Sequence, residues 1–165
     1  MPEKHNNHFL KLLETHPYLL ADGATGTNLF KAGLQTGDAP ELWNTEQPDK
    51  IRAHYQAFAD AGSDIILSNT FGGTRYRLKL HQAQQRAAEL NIAGVELARE
   101  VADRSDRMIA VAGSIGPTGE ILEPAGTLSK DEAVVAFREQ ALALKKGGID
   151  VFWIETLSSI EEVEA

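Results

Sequence analysis

The sequence contains no cysteine. Disulfides, thiol nucleophiles and thiolate metal sites are therefore excluded from this chain. Basic residues are outnumbered: 16 Lys and Arg stand against 24 Asp and Glu, a formal net charge of -8. Phosphate backbones are bound by clustered Lys and Arg, so no nucleic-acid partner is expected. No apolar run is long enough to span a bilayer, so no membrane partner is expected either. The first fifteen residues are polar and lack an apolar core followed by a small-residue cleavage site, which makes a cytoplasmic location the expectation. There is no G-x-G-x-x-G after the first apolar run and no P-loop lysine, which leaves nucleotide binding without support. What is present is ordinary for a globular domain. Hydrophobic residues make up 42% and charged residues 24% of 165, enough for one domain with a real core.

The organising stretch is Leu19-Leu20-Ala21-Asp22-Gly23-Ala24-Thr25-Gly26-Thr27. An apolar run without polar alternation reads as a parallel strand buried on both faces. It ends in an acid, Asp22, followed at once by small residues. Gly23 and Gly26 let the backbone turn and approach a ligand closely. The amides of Gly23, Ala24 and Thr25 can form an anion-binding concavity beside the acid. That combination suits a zwitterion such as an amino acid. The local alternative is that Asp22 caps a turn that the glycines merely shape.

Three more units repeat this theme. Apolar runs near residues 64–68, 108–112 and 149–154 predict strands, and with 18–22 they recur about every forty residues. Each ends in polar residues or glycines: Asn69 and Thr70, then Ser114, then Glu155. Helical spacing fills the intervals. Pro48 opens one helix and Gly62 closes it as a left-handed cap. A second pattern runs from Thr74 to about Ala102, with a break expected at Asn91 or Gly94. Ser129 and Glu132 form a capping box before a third helix, and Ser158 with Glu161 predicts another. Residues 1–17 read as a frayed lead-in with a short helix at Phe9–Glu14, and residues 28–48 as an irregular loop in which Trp43 is either a lid or packed.

Alternating strands and helices give a parallel sheet with helices outside. A doubly wound sheet and part of a (β/α)8 barrel both fit. A full barrel takes about 250 residues, so four βα units are half of one. Polar residues at the carboxyl end of every strand favour the barrel, where all such ends converge on one face. The chain also stops inside a freshly capped helix, so a fragment is the expectation.

Four segments carry a specific likeness: Asp22-Gly23-Ala24-Thr25-Gly26-Thr27, Ser68-Asn69-Thr70-Phe71-Gly72-Gly73-Thr74-Arg75, Gly113-Ser114-Ile115-Gly116-Pro117-Thr118-Gly119 and Glu155-Thr156. In order and spacing, from Tyr18 to Ala165, they resemble the homocysteine-binding barrel. This domain occurs in homocysteine S-methyltransferases, betaine–homocysteine methyltransferases and the N-terminal part of cobalamin-dependent methionine synthases. The resemblance implies a (β/α)8 TIM-type barrel whose first four units are residues 18–165. It implies that Asp22 and Glu155 hold the ammonium of homocysteine and that the amides around Gly23, Ala24 and Thr25 receive its carboxylate. It further implies a zinc ion, held by three cysteines of later strands, that takes up the homocysteine sulfur as thiolate for attack on the methyl group of a small-molecule donor. Relatives use betaine, methylated sulfur compounds or folate by way of cobalamin. This chain has none of those cysteines, so it carries no metal ligand.

The remaining residues leave alternatives open. Asn69 and Thr70 either line the pocket or order the loop by local hydrogen bonds. Ser114 has no histidine near it in the pattern, so it is not read as a nucleophile. Arg75 and Arg77 read as a solvated helix start, Phe71 and Trp153 as core. His5, His8 and His16 precede the first strand, and His54 and His81 fall on outer helices expected to face solvent. Open strand edges in a half-barrel invite pairing with another copy, a homo-oligomer. The competing reading is a non-catalytic half-barrel, or a doubly wound module, that binds or self-associates.

Overall fold

The computed structural model describes residues 7–165. Expectations for residues 1–6, His5 among them, fall outside the described residues. The chain is a mixed α/β fold with a parallel sheet. Its strands are β1 (Ile65–Leu67), β2 (Ala110–Ile115) and β3 (Val151–Ile154), in the spatial order β1-β2-β3. Both pairs are parallel, with Ile65 opposite Ala110 and Ala112 opposite Val151. Residues 19–22 add a fourth position beside β1, but only through one bridge, Ala21 to Ile65. Neighbours in space are thus neighbours in sequence, with no reversal of order among the described residues.

The expected first strand is therefore only an extended segment, and it is not buried on both faces. Tyr18 is 80% and Leu20 55% exposed. Strands gain regularity from two neighbours, and this segment has one. The third strand is longer than the apolar run suggested: Gly113, Ser114 and Ile115 belong to β2, because β3 pairs with them.

The helices are α1 (His8–Thr15), α2 (Thr25–Lys31), α3 (Trp43–Glu46), α4 (Pro48–Ala61), α5 (Arg75–Lys79), α6 (Ala87–Arg104), α7 (Lys130–Gly147) and α8 (Ile160–Glu164). No helix among the described residues is long and apolar enough to cross a membrane. Gly62 ends α4 at φ 101°, the left-handed cap read from the sequence. Ser129 and Glu132 make both bonds of a capping box. The other box is shifted: Ser159, not Ser158, caps α8 by accepting from the Glu162 N–H. The Glu162 carboxylate is drawn away to Thr118, whose N–H and hydroxyl both donate to it.

The short helix expected at Phe9–Glu14 forms as α1, one residue longer at each end, with Leu12 buried. Two further expectations are corrected. The 28–48 segment is partly helical, with a 3-10 turn at Pro40–Leu42 running into α3. Trp43 in it is packed against the core. The break in the 74–102 pattern lies at residues 80–83 and not at Asn91 or Gly94, which are buried inside α6. Asn91 stays helical because its side chain is occupied, donating to the Gly73 and Ala87 carbonyls at 2.7 Å.

Alternation along the strands sorts the core into two faces. Ile66, Ile109, Val111 and Ile115 pack among Tyr55 of α4, Val95 of α6 and Leu144 of α7. Ile65, Ala110 and Ala112 face the other way, with Leu67, Val151, Trp153 and Ala21 around them and Phe9 and Leu12 of α1 beneath. Asp150 ties α1 there. Its carboxylate accepts from the His8 N–H at 3.0 Å, from the Val111 N–H at 2.8 Å and from the Arg99 guanidinium. Ser114 and Glu155 continue the second face by the same parity, so the polar ends stand directly above the small apolar core that α1 floors.

α6 and α7 approach closely at Gly147, where an added Cβ would lie 2.7 Å from Val95 Cβ. Gly147→Ala is expected to destabilise by about 1–3 kcal/mol through overpacking. Leu142→Ala, on the exposed face of the same helix, should stay within about 0.5 kcal/mol. Thermal unfolding of both variants checks this, and equal melting temperatures would contradict the packing described.

Candidate functional site

Asp22 continues the bridge beyond Ala21. Its N–H donates to the Ile65 carbonyl at 2.9 Å, and its carboxylate accepts from the Leu67 N–H at 3.0 Å. The side chain therefore lies across the end of β1. Burial pushes its carboxyl from the ordinary 3.8 up to about 7, the Leu67 N–H holds it down, and the charge of Glu155 pushes it further up. Two acids distant in sequence thus feel each other at one end of the sheet.

The chain then turns into α2. Ala24 occupies the cap position, and among the described residues no side chain accepts from the first-turn amides. Free amides at a helix start point at whatever lies beyond. The turn rests on α4: the Phe58 ring lies 3.4 Å below the position of a Gly23 Cβ, and His54 Nε2 is 3.3 Å from the Thr25 hydroxyl. His54 is buried, against the expectation of exposure, and burial lowers its pKa. The face of α4 it occupies is covered by the 23–26 turn, which helical spacing alone does not reveal.

At the end of β1 the backbone is held by a chain of buried bonds. The Asn69 N–H donates to the Tyr55 hydroxyl at 2.6 Å, and Tyr55 donates on to the Gly94 carbonyl at 3.2 Å. The Asn69 amide donates to the Pro40 carbonyl at 2.8 Å and to Asn44 Oδ1 at 2.9 Å. Glu41, also in the 3-10 turn, accepts from the Gly72 N–H at 2.7 Å. It is buried, and burial raises its pKa.

At the end of β2, the Ser114 hydroxyl donates to Glu155 Oε1 at 2.7 Å, and the Ser114 N–H donates to the Ser68 hydroxyl at 3.2 Å. Thr70 donates its hydroxyl to the Ser114 carbonyl at 2.8 Å. Glu155 is fixed through its own N–H, which donates to the Ile115 carbonyl at 3.0 Å. The next residue, Thr156, sits at φ 63°. A β-branched residue rarely takes this left-handed conformation, and here it turns the chain sharply away just after the acid.

These ends surround a cavity of about 410 Å3. Gly23, Ala24, Thr25, Asn69 and Glu155 line it, as does Ser114. Asp22 is not in the lining; it stands behind, on Leu67. Thr70 is not in the lining either: it is fully buried, and its groups are spent on Ser68, Ser114 and Gln140. The lining also includes Asp38 and Glu41, which the sequence did not single out, and Phe71, Arg77 and His81, which it assigned to core, helix start and outer helix. Arg77 and His81 are thus not simply solvated, although Arg75 is, pairing with Glu139 at 2.8 Å. His81, expected on an outer helix, lies instead in the turn that follows α5, its N–H donating to the Leu78 carbonyl at 3.0 Å, so helical spacing gave no signal for its place beside Arg77. Phe71 likewise faces the cavity rather than the core.

Among the described residues no group of three or more His, Asp or Glu side chains is placed to hold a metal ion. The zinc implied by the family likeness does not fit the described residues.

A profile of the family described as Homocysteine S-methyltransferase matches residues 19–165. The methionine synthase of Mycobacterium tuberculosis (strain ATCC 25618 / H37Rv) is 31% identical over 159 residues, covering 89% of this chain and 13% of that protein. The methionine synthase of Mycobacterium leprae (strain TN) is 31% identical over 165 residues, covering 93% and 14%. Among solved structures, the oxidized form of the homocysteine methyltransferase MmuM from Escherichia coli superposes with a TM-score of 0.78 at 27% identity, over 96% of this chain and 60% of that one. Its metallated form gives 0.77 at 26% identity over the same shares. The chain therefore spans less than two thirds of the length of each of these relatives. By the profile match over nearly all of its length, the chain belongs to the homocysteine S-methyltransferase family.

Proposed function

We propose that residues 18–165 are the first four βα units of a (β/α)8 barrel, and that they form the homocysteine-binding wall of a methyltransferase that makes methionine from homocysteine and a small-molecule methyl donor. The observation that carries this reading is the meeting of Asp22 and Glu155 at one end of the sheet, beside the uncapped amides of α2. Two carboxylates in a partly dry mouth repel, and one ammonium between them relieves both. The amides of Gly23, Ala24 and Thr25 are placed to receive the carboxylate of the same amino acid. Asn69 borders the ligand, and Thr70 acts from behind it by holding Ser114, which in turn orients Glu155. The ligands for zinc, and the activation of the sulfur, belong to residues outside this sequence. A second reading, a non-catalytic module that self-associates, is favoured by apolar side chains in solvent at both edges of the sheet, Leu20 at one and Ile154 at the other. Homocysteine titration separates the two, since such a module gives no saturable binding.

Each acid makes a charge-assisted bond worth about 1.5–3 kcal/mol. Asp22→Asn and Glu155→Gln should each weaken homocysteine binding by about tenfold to over a hundredfold. The double variant should lose less than the sum, because both acids share one partner. Unchanged affinity in both single variants, with folding intact, would show the acids to be turn caps.

The elevated Asp22 pKa gives two more outcomes. Free Asp22 is partly protonated below about pH 7 and ionised when it holds an ammonium. Homocysteine binding at pH 6.5 should therefore release protons, seen as a dependence of calorimetric heat on buffer ionisation heat, and Asp22→Asn should abolish the release. Stability follows the same group. The folded chain keeps a proton that the unfolded chain loses between pH 3.8 and about 7, so stability falls as pH rises through that window. Asp22→Asn should flatten this slope. An identical slope in the variant would contradict the assignment.

A further inference from the structure

His54 is a polar ring buried behind the wall of the cavity, 8% exposed. It lies on α4 four residues before Phe58, so one face of that helix sets both rings under the turn of residues 23–26. Phe58 lies beneath Gly23, and its ring meets the His54 ring edge-on with centroids 5.1 Å apart. That contact fixes the plane of the imidazole, whose Nε2 stands 3.3 Å from the Thr25 hydroxyl. Among the described residues this ring is the one hydrogen-bond partner of that hydroxyl. Thr25 in turn lines the cavity.

The direction of this bond decides what Thr25 offers a ligand. Burial lowers the pKa of His54, so the ring is neutral and holds a single proton, on Nδ1 or on Nε2. With the proton on Nδ1, the Thr25 hydroxyl donates to Nε2 and shows only lone pairs to the cavity, which repel an anion. With the proton on Nε2, the ring donates to Thr25 Oγ1, and the hydroxyl proton is left for the ligand.

We infer that His54 is a positioning residue for the substrate: it donates from Nε2 to Thr25 and so aims the Thr25 hydroxyl proton at the carboxylate of the bound amino acid. The inference rests on the homocysteine reading above. His54 touches no ligand atom and acts only through Thr25. The hydroxyl bond to a charged acceptor is a strong one, and it is lost to an amine that has no carboxylate. The pair thereby sets specificity for an amino acid over the corresponding amine.

The probes are homocysteine and aminopropanethiol, which is homocysteine without its carboxylate, titrated calorimetrically into the full-length protein. His54→Phe keeps a packed ring and removes the N–H. It should weaken homocysteine by about tenfold and leave aminopropanethiol within about twofold. His54→Gln keeps an N–H donor and should recover much of the loss. Thr25→Val should lose as much as His54→Phe, and the double variant should lose no more than either. Nitrogen NMR of the wild-type homocysteine complex should find the His54 proton on Nε2. Equal weakening of both ligands in His54→Phe would overturn the inference, as would unchanged homocysteine affinity with folding intact or a proton on Nδ1. If His54→Phe does not fold, Thr25→Val and the wild-type ring proton decide by the same outcomes. A wild type that binds neither ligand would remove the homocysteine reading and this inference with it. A wild type that binds homocysteine no better than His54→Phe does would remove the role of His54 alone.

Discussion

Parallel pairing in chain order is the constraint on which the rest depends. Ala21, β1, β2 and β3 stand side by side with Ile65 opposite Ala110 and Ala112 opposite Val151. In that register every strand ends on the same side, and alternation decides which end residues turn inward. Ala110 and Ala112 face the inner core, so Ser114 does; Val151 and Trp153 do, so Glu155 does. A slip of one residue in β3 would send Glu155 to the helix side and leave Asp22 without its neighbour. The acid pair is thus a consequence of register, floored by α1 through Phe9 and Leu12.

Holding the ends open is the work of buried polar groups. Loop backbone that leaves a sheet must find partners for its N–H and carbonyl groups. Here Asn69 binds the end of β1 to Pro40 of the 3-10 turn and to Asn44 of α3, Tyr55 of α4 receives the Asn69 N–H, Glu41 receives the Gly72 N–H, and Asn91 and Gln140 donate to the carbonyls of Gly73 and Thr70. Most of these side chains come from helices, so the helical layer fixes the loops as well as covering the strands. A cavity built this way is shaped before any ligand arrives, which lowers the ordering cost of binding.

Much of this was legible in the sequence. Short β-branched runs followed by helical spacing gave the order of units, and Gly62 and Ser129 marked helix ends by local chemistry that tertiary structure has no reason to override. Asp22 and Glu155 stood out because an acid after an apolar run has no place in a core. What stayed hidden depends on distant partners. His54 looks exposed until the 23–26 turn covers it. Ser158 looks like a cap until Glu162 is drawn to Thr118 and the cap moves to Ser159. Glu41, in a loop rich in glycine and proline, has no periodic signal, and only the fold brings it to Gly72. Thr70 carries the family likeness yet is buried, because its hydroxyl serves Ser114.

The central claim is that Asp22 and Glu155 together hold an ammonium at the end of the parallel sheet. A crystal structure of the full-length protein with homocysteine tests it most directly. The account predicts the amino nitrogen within hydrogen-bond distance of both carboxylates, with the ligand carboxylate on the amides of residues 23–25. An ordered homocysteine whose amino group contacts neither acid, with Asp22 still on Leu67 and Glu155 still on Ser114, would contradict it.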